Sequence, residues 1–354
     1  ELVQLHRFLS FVILKKSKSR NTSGILRNRK KRKHGMNYIV FDLEWNQSPG
    51  GKKYSNSRLP FEIIEIGAVK MNEERETVDV FQRLIKPQVY NWIHDSIHEV
   101  IHVDYKDLEN GSPFSEVIRE FLDWCGDNFA FFTWGNQDVM ELQRNMKYYG
   151  MLSLLPGPVK YYDVQKVFGM CCEEAGGRRS LEFAIDQLAI PKEQTFHRAL
   201  TDARYTAMVL KWVDEKKLFA NYSVDVYQNP KKKKDELFLS YPDHDQYVSR
   251  EFTDRDKIMR DREVASTKCP ICHLPAKRKI RWFMNNSRAY ESVSFCQKHG
   301  YVKGKIRIRH TEEDRYYVIK TLKNVGDEKA EEIREKRDSL RKKRQIKRQS
   351  EKQI

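Results

Sequence analysis

Long apolar runs and cysteine are both scarce in this 354-residue sequence. No run approaches the roughly 20 residues that a membrane-spanning helix needs. The longest candidate, Phe8 to Leu14, is short and is followed by Lys15 and Lys16. A secretory signal would place its positive residues before the apolar core, and here nearly all come after it. Six cysteines are too few for a disulfide-built secreted scaffold, so the chain reads as a protein of a reducing, cytoplasmic compartment. No internal repeat recurs at 20–50 residues, which argues against a solenoid or propeller.

What is present is charge, unevenly placed. Lys plus Arg is 66 against 50 Asp plus Glu, and hydrophobic residues at 39% with aromatics at 12% exclude a wholly disordered chain. A pI near 9.4 favours an anionic partner. Residues 1–35 sum to +10, 36–220 to −7, 221–320 to +8 and 321–354 to +5. The basic stretch 1–35, ending in Arg27-Asn28-Arg29-Lys30-Lys31-Arg32-Lys33, reads as a disordered, solvated extension ahead of Met36; a nucleic-acid-binding arm is the alternative. An acidic block that handled nucleic acid would need cations to do so.

From Asn37 the pattern is regular. Tyr38-Ile39-Val40-Phe41, 62–69, 78–85 and 129–134 read as strands, and 113–125, 137–149, 163–172, 180–188 and 198–217 as helices. Three strands in series followed by alternation predict an α/β fold, a mixed sheet flanked by helices, over residues 36–220. Residues 221–262 read as a linker, opening on Asn229-Pro230-Lys231-Lys232-Lys233-Lys234. Residues 263–320 read as a small basic module, and 321–354 as a charged tail, helical or disordered, whose apolar stripe (Ile333, Leu340) is too narrow for a core helix.

Asp42 and Glu44 stand two apart at the end of the first apolar strand, so they share a face. Two carboxylates there repel each other and lose hydration. Protonation of one relieves this; so does a divalent cation. Asp138 follows a strand that breaks at Trp134-Gly135, where it could equally serve as a helix cap. Asp202, five residues after His197, could equally complement a helix dipole. His197 alone could be an ordinary histidine.

In combination, Asp42-x-Glu44, Asp138 and His197-x-x-x-x-Asp202 resemble the DEDD exonuclease superfamily, of the ribonuclease T and polymerase III proofreading type. The His-x-x-x-x-Asp spacing places the likeness in the DEDDh branch, over residues 37–215. The Glu65-Ile66-Gly67 strand and the Trp134-Gly135 turn are similar to that branch too, the turn most to its RNA 3′-end-trimming members such as the histone-mRNA exonuclease. Many relatives carry a hydroxyl residue after the Asp-x-Glu, where this chain has Trp45-Asn46, and a Thr-Gly-Ile turn near its segment 101–105.

The resemblance implies an RNase H-like fold and two Mg²⁺ or Mn²⁺ ions held by Asp42, Glu44, Asp138 and Asp202, with His197 as general base. It also implies 3′→5′ hydrolysis at single-stranded 3′ ends, on RNA rather than DNA, releasing nucleoside 5′-monophosphates. Trp45 and Trp134 are the candidates for substrate contact, Trp45 by stacking on a terminal base. A DNA-directed exonuclease and a vestigial, non-catalytic nucleic-acid-binding protein are the competing readings.

Cys269-Pro270-Ile271-Cys272 and, 23 residues on, Cys296-Gln297-Lys298-His299 read as a structural zinc ligand set, Cys₃His, with a disulfide pair as the competing reading and His273 and His310 as substitutes for His299. Four such ligands close the metal off from chemistry. Lys268 to Arg309 holds eleven Lys/Arg and one acidic residue, interleaved with Trp282, Phe283, Tyr290, Phe295 and Tyr301. Lys303, Lys305, Arg307 and Arg309 alternate as on one charged strand face, suited to phosphates and bases. Cys125, Cys171 and Cys172 lack companions at ligand spacing.

Overall fold

The first described strand, β1 (Asn37–Gln47), alternates its buried side chains: Ile39, Phe41 and Leu43 to one side, Tyr38 and Val40 to the other. Buried on both faces, it becomes the centre of a sheet. The computed structural model describes residues 35–91, 105–172, 177–192 and 197–350. The basic extension before Gly35 and the segment 101–104 lie outside the described residues. All described residues belong to one unit, Gly35–Ile354.

β1 pairs antiparallel with β2 (Phe61–Met71), which pairs antiparallel with β3 (Thr77–Leu84). On its other side β1 runs parallel to β4 (Phe129–Thr133), then come β5 (Val159–Asp163), parallel to β4, and β6 (Ser223–Asp225), antiparallel. The sheet order is therefore β3-β2-β1-β4-β5-β6. Helices α1 (Phe114–Cys125) and α2 (Gln137–Tyr148) cover the Phe41 side, burying Phe114, Phe121 and Leu142. Helices α3 (Val164–Cys171), α4 (Leu181–Gln187) and α5 (Ala199–Trp212) cover the Val40 side. This is the mixed sheet with flanking helices that the sequence pattern predicts, and the RNase H-like fold that the resemblance implies. The expected helix over 198–217 is in fact two: the Asp214 side chain accepts from the Lys217 amide at 2.7 Å and starts a new helix, α6 (Glu215–Ala220). A strong N-cap inside a continuous apolar pattern outweighs the pattern.

The stretch 221–262 is no linker. It supplies β6 to the first sheet, then β7 (Leu237–Ser240) and β8 (Asp245–Val248) to a second. That sheet continues with β9 (Lys277–Met284), β10 (Tyr290–Cys296), β11 (Gly300–His310) and β12 (Tyr316–Val325), all antiparallel, in the order β7-β8-β12-β11-β10-β9. The expected module is therefore larger than a zinc ribbon. Its polar strands are hard to read because one face of each looks to solvent or cavity. The tail forms helix α7 (Asp327–Ser350) from its second residue past β12. The apolar stripe suffices locally: Ala330 and Ile333 are buried against Ile280 and Val293.

Candidate active site and cysteine cluster

Tyr38, Val40, Asp42 and Glu44 occupy one face of β1. The apolar pair packs under α5, and the acidic pair emerges where that helix begins. Helix α5 can lie this close because Ala199, Ala203 and Ala207, four residues apart, are its buried face, and because β2 offers Gly67. A Cβ on Gly67 would stand 2.0 Å from the Leu200 backbone nitrogen. The tight approach brings Asp202, in the first turn of α5, to the acidic pair: ligand oxygens of Asp42, Glu44 and Asp202 all lie within 4.8 Å of one another. A bulge between Glu44 and Trp45 then re-aims the strand.

Asp138 enters from α2. It is buried beside Asp42 and accepts backbone N–H bonds from Leu43 and from itself, but it stands outside the 4.8 Å group of three. The turn that delivers it is built by Gly135 at φ +112, whose carbonyl accepts the Thr133 hydroxyl at 2.6 Å. His197 lies exposed at the mouth, at φ 67, and its amide donates to Asp202 Oδ2 at 3.3 Å. A non-glycine residue held at positive φ stores local strain of the kind seen at functional positions. All five residues, with Trp45 and Trp134, line one cavity of about 870 Å³. Both tryptophans are half-buried: Trp45 packs on Phe61 at 5.8 Å, and Trp134 packs on Phe168 at 5.8 Å and donates Nε1–H to the Arg179 carbonyl.

The electrostatics distinguish two kinds of carboxylate. Glu65, opposite Glu44 in the β-ladder, is held by Arg198 at 3.1 Å and Gln82 at 2.7 Å. Asp163, which caps α3, is held by Arg178 at 2.6 Å. No signal in the sequence puts Asp163 in this neighbourhood. Asp42, Glu44, Asp138 and Asp202 have no such partner among the described residues. Burial, then the charges of Asp138 and Glu44, hold the Asp42 carboxyl well above the usual carboxylate range. Burial, then Asp202 and Glu65, pushes Glu44 up to about 8. Burial lifts Asp138 to about 7 and Asp202 to about 6 against hydrogen bonds that lower them. Asp202 Oδ1 is buried with no hydrogen-bond partner. Such an orphaned oxygen, in a group of unneutralised acids, is met by protons in the metal-free protein and fits a hard divalent cation that would replace them.

The cysteine cluster sits at the start of β11 and the end of β10. Cys269, Cys272, Cys296 and His299 offer ligand atoms within 4.8 Å of one another. Cys272 Sγ to Cys296 Sγ is 3.7 Å, and His299 Nδ1 lies 3.5 Å from Cys269 Sγ and 3.8 Å from Cys296 Sγ. A tetrahedron with metal–sulfur bonds of about 2.3 Å has edges of about 3.8 Å. Every described cysteine is a free thiol, so no disulfide competes. The Lys298 and His299 amides pull the Cys296 thiol down to about 6, toward the thiolate a metal requires. The alternatives to His299 point elsewhere: His273 faces Asp245 at 3.2 Å and His310 faces Asp314 at 3.1 Å.

A mixed sheet flanked by helices thus brings four carboxylates without ion-pair partners to one cleft, an arrangement of hard oxygen donors suited to divalent cations. Residues 39–210 match the RNase_T family, described as exonuclease. Over these residues the chain is similar to the exonucleases of that family. Among curated relatives, the DNA polymerase III PolC-type of Clostridium perfringens (strain 13 / Type A) is 30% identical over 183 residues, covering 49% of this chain and 11% of the relative. The chain thus spans about a ninth of that relative's length. Among solved structures, the nuclease domain of 3′hExo, "a DEDDh family member, bound to rAMP", is 17% identical with a TM-score of 0.43, covering 51% of this chain and 92% of that one. An E. coli ExoI–ssDNA complex is 14% identical with a TM-score of 0.42, covering 52% and 42%.

Proposed function

We propose that this chain is a divalent-metal-dependent 3′→5′ exonuclease that hydrolyses phosphodiester bonds at single-stranded 3′ ends, on RNA in preference to DNA, and releases nucleoside 5′-monophosphates. The observation that carries the reading is the contrast among the acids: Glu65 and Asp163 have arginine ion pairs, while Asp42, Glu44, Asp138 and Asp202 share one cavity with no ion pair among the described residues and leave Asp202 Oδ1 orphaned. These four would hold two Mg²⁺ or Mn²⁺ ions. When bound, such ions stabilise charge on the attacking and leaving oxygens of a phosphodiester. His197, exposed at the mouth, is placed to take a proton from the attacking water, a role that suits imidazole near neutral pH. Its backbone amide bond to Asp202 ties the loop to the acidic group. Trp45 and Trp134 would flank the terminal nucleotide from the cavity wall.

The Cys269, Cys272, Cys296 and His299 cluster would hold one structural Zn²⁺, with no position left for substrate. It secures the turn between β10 and β11, and would persist as thiolate in a reducing compartment. The net +8 over residues 221–320 favours single-stranded nucleic acid as partner.

DNA is the second reading, favoured by the PolC-type relative at 30% identity. Incubation of 5′-labelled RNA and DNA oligonucleotides with Mg²⁺, Mn²⁺ or EDTA tests both. Laddering from the 3′ end, absent in EDTA and faster on RNA, is the expected result. Faster laddering on DNA moves the assignment to the second reading. No laddering on either leaves only a nucleic-acid-binding protein with a vestigial nuclease fold.

A further inference from the structure

The cavity that holds the acids has a second wall, and it comes from the other sheet. Tyr241, His244, Gln246 and Arg307 line it together with Asp42 and Glu44. Strand register explains how. Arg307 pairs with Ile319, which pairs with Val248, and Lys305 pairs with Thr321, which pairs with Gln246. Cross-strand partners project to the same side, so Gln246 and the row Arg307, Lys305 and Lys303 share one face. The opposite face is closed by Phe252, Ile258 and Val264, which pack with Ile306 and Val318. Successive members of the basic row are about 6.6–6.8 Å apart along the strand. Arg307 is exposed and has no ion pair among the described residues. Burial, then the charges of Arg307 and Lys303, lowers the Lys305 ammonium from its usual range, as expected of cations gathered without enough anions.

Beside this row stands an aromatic ladder. The turn between β7 and β8 stacks Tyr241 on His244, ring centroids 4.6 Å apart at 18°, and tilts Tyr241 against Tyr222 at 5.0 Å. Tyr222 directly precedes β6, so the ladder bridges the two sheets at the cavity rim. Tyr241 is buried between its neighbours and Lys160 Nζ stands over the Tyr222 ring at 4.3 Å, which leaves the half-buried outer face of His244 for an aromatic guest.

We propose that Arg307 and Lys305, with the Tyr222–Tyr241–His244 ladder, form a subsite for the phosphates and bases of the nucleotides immediately 5′ to the scissile bond. The proposal rests on the nuclease reading above and adds to it. The acidic domain carries −7 and repels an incoming polyanion everywhere except at bound cations. A basic row that ends in the same cavity counters that repulsion and sets the direction in which the strand leaves, and stacking on His244 orders its bases without reading their sequence. The site should therefore need several nucleotides for full efficiency.

The test uses the full-length chain carrying Arg307→Ala with Lys305→Ala, and separately His244→Ala. Wild type and variants are compared on a 5′-nucleotide p-nitrophenyl ester, too short to reach the subsite, and on a single-stranded 12-mer. We expect the ratio of kcat/KM on the 12-mer to that on the ester to fall tenfold or more in the double variant, chiefly through KM, and fivefold or more in His244→Ala. Arg307→Lys, which keeps the charge, should restore most of the ratio. The salt slope of 12-mer binding should shrink by about 0.7 for each phosphate that the variant no longer neutralises. An unchanged ratio, with circular dichroism showing both proteins folded, overturns the proposal. If the wild-type protein hydrolyses neither substrate, the nuclease reading falls instead, and fluorescence anisotropy of the labelled 12-mer in EDTA decides the subsite alone: tenfold weaker binding by the double variant upholds it, equal binding overturns it.

Discussion

The two ligand clusters of this chain make opposite use of charge. At the end of the first sheet, hard carboxylate oxygens converge on an open cavity and none of the four has an ion pair with a protein cation among the described residues. At the end of the second sheet, three thiols and an imidazole face one another at 3.5–3.8 Å, with Cys269 and Cys296 buried. The first arrangement is electrostatically unfinished, and a site that leaves room for ions and water can act on a substrate. The second is a closed set of four thiol and imidazole ligands, which with one ion would leave no position for substrate. Cleft and cluster differ in the same way in their surroundings: Arg178 and Arg198 neutralise the acids beside the cleft but stop short of the four within it.

The sharpest way to break the comparison is to remove an oxygen ligand. Asp42→Ala or Asp202→Ala should reduce hydrolysis by about 10³-fold or more, the several kcal/mol that metal stabilisation of the transition state contributes. The melting temperature should be kept or raised, because an uncompensated acid has gone. A folded Asp42→Ala protein with wild-type turnover would refute the active-site assignment. His197→Ala should cost about 10²–10⁴-fold in kcat, the usual range for a general base, while calorimetric Mn²⁺ affinity changes much less. An equal loss in both would make His197 a ligand-positioning residue.

At the other cluster the order of effects should reverse. Cys269→Ser should abolish the one equivalent of zinc measured by atomic absorption and lower the melting temperature, with β10 and β11 losing amide protection in hydrogen exchange, since structural zinc contributes folding energy directly. Ester hydrolysis at the first sheet should survive better than 12-mer degradation. If the purified protein contains no zinc and Cys269→Ser melts normally, the cluster is not a metal site.

Acid–base behaviour separates the sites further. Glu44, Asp138 and Asp202 have carboxyl groups raised to about 8, 7 and 6, while in the unfolded chain they titrate near 4. Between these limits the folded metal-free protein binds more protons than the unfolded one, so its stability falls as pH rises. Thermal melts in EDTA should therefore decline from about pH 5 to about pH 9, and saturating Mg²⁺ should flatten the decline by replacing the protons. A metal-free stability that climbs over this range would contradict the unneutralised cluster. The smallest effect is expected at Gly67→Ala. Its methyl must push α5 away, at a cost of about 1–3 kcal/mol in a urea titration, with a proportionally larger loss of activity as Asp202 moves.

Much of this is legible in the residues alone, for specific reasons. Asp42 and Glu44 follow an apolar run whose period of two fixes their shared face, and His197 to Asp202 marks a loop entering a helix. The strands β5 and β6 give no clear signal because Val159–Asp163 and Ser223–Asp225 are only five and three residues long and carry polar positions. The second sheet is hidden in residues 237–248 for a related reason: Tyr247 and Val248 are buried, but their neighbours face the cavity and read as loop. Asp163 is equally silent, because a helix cap and a cleft acid look identical until Arg178 is placed beside one of them.

Residue order alone marked the candidate ligands and the core of the first domain, since side-chain type and alternation are local properties. Convergence is not local. That Asp202 reaches Glu44, that Asp138 stops short of the group of three, and that Arg307 shares a cavity with Asp42 across more than 260 residues of chain all follow from how helices and strands pack. Such distances come from long-range close packing, such as helix α5 lying against Gly67, which no stretch of sequence encodes by its own pattern.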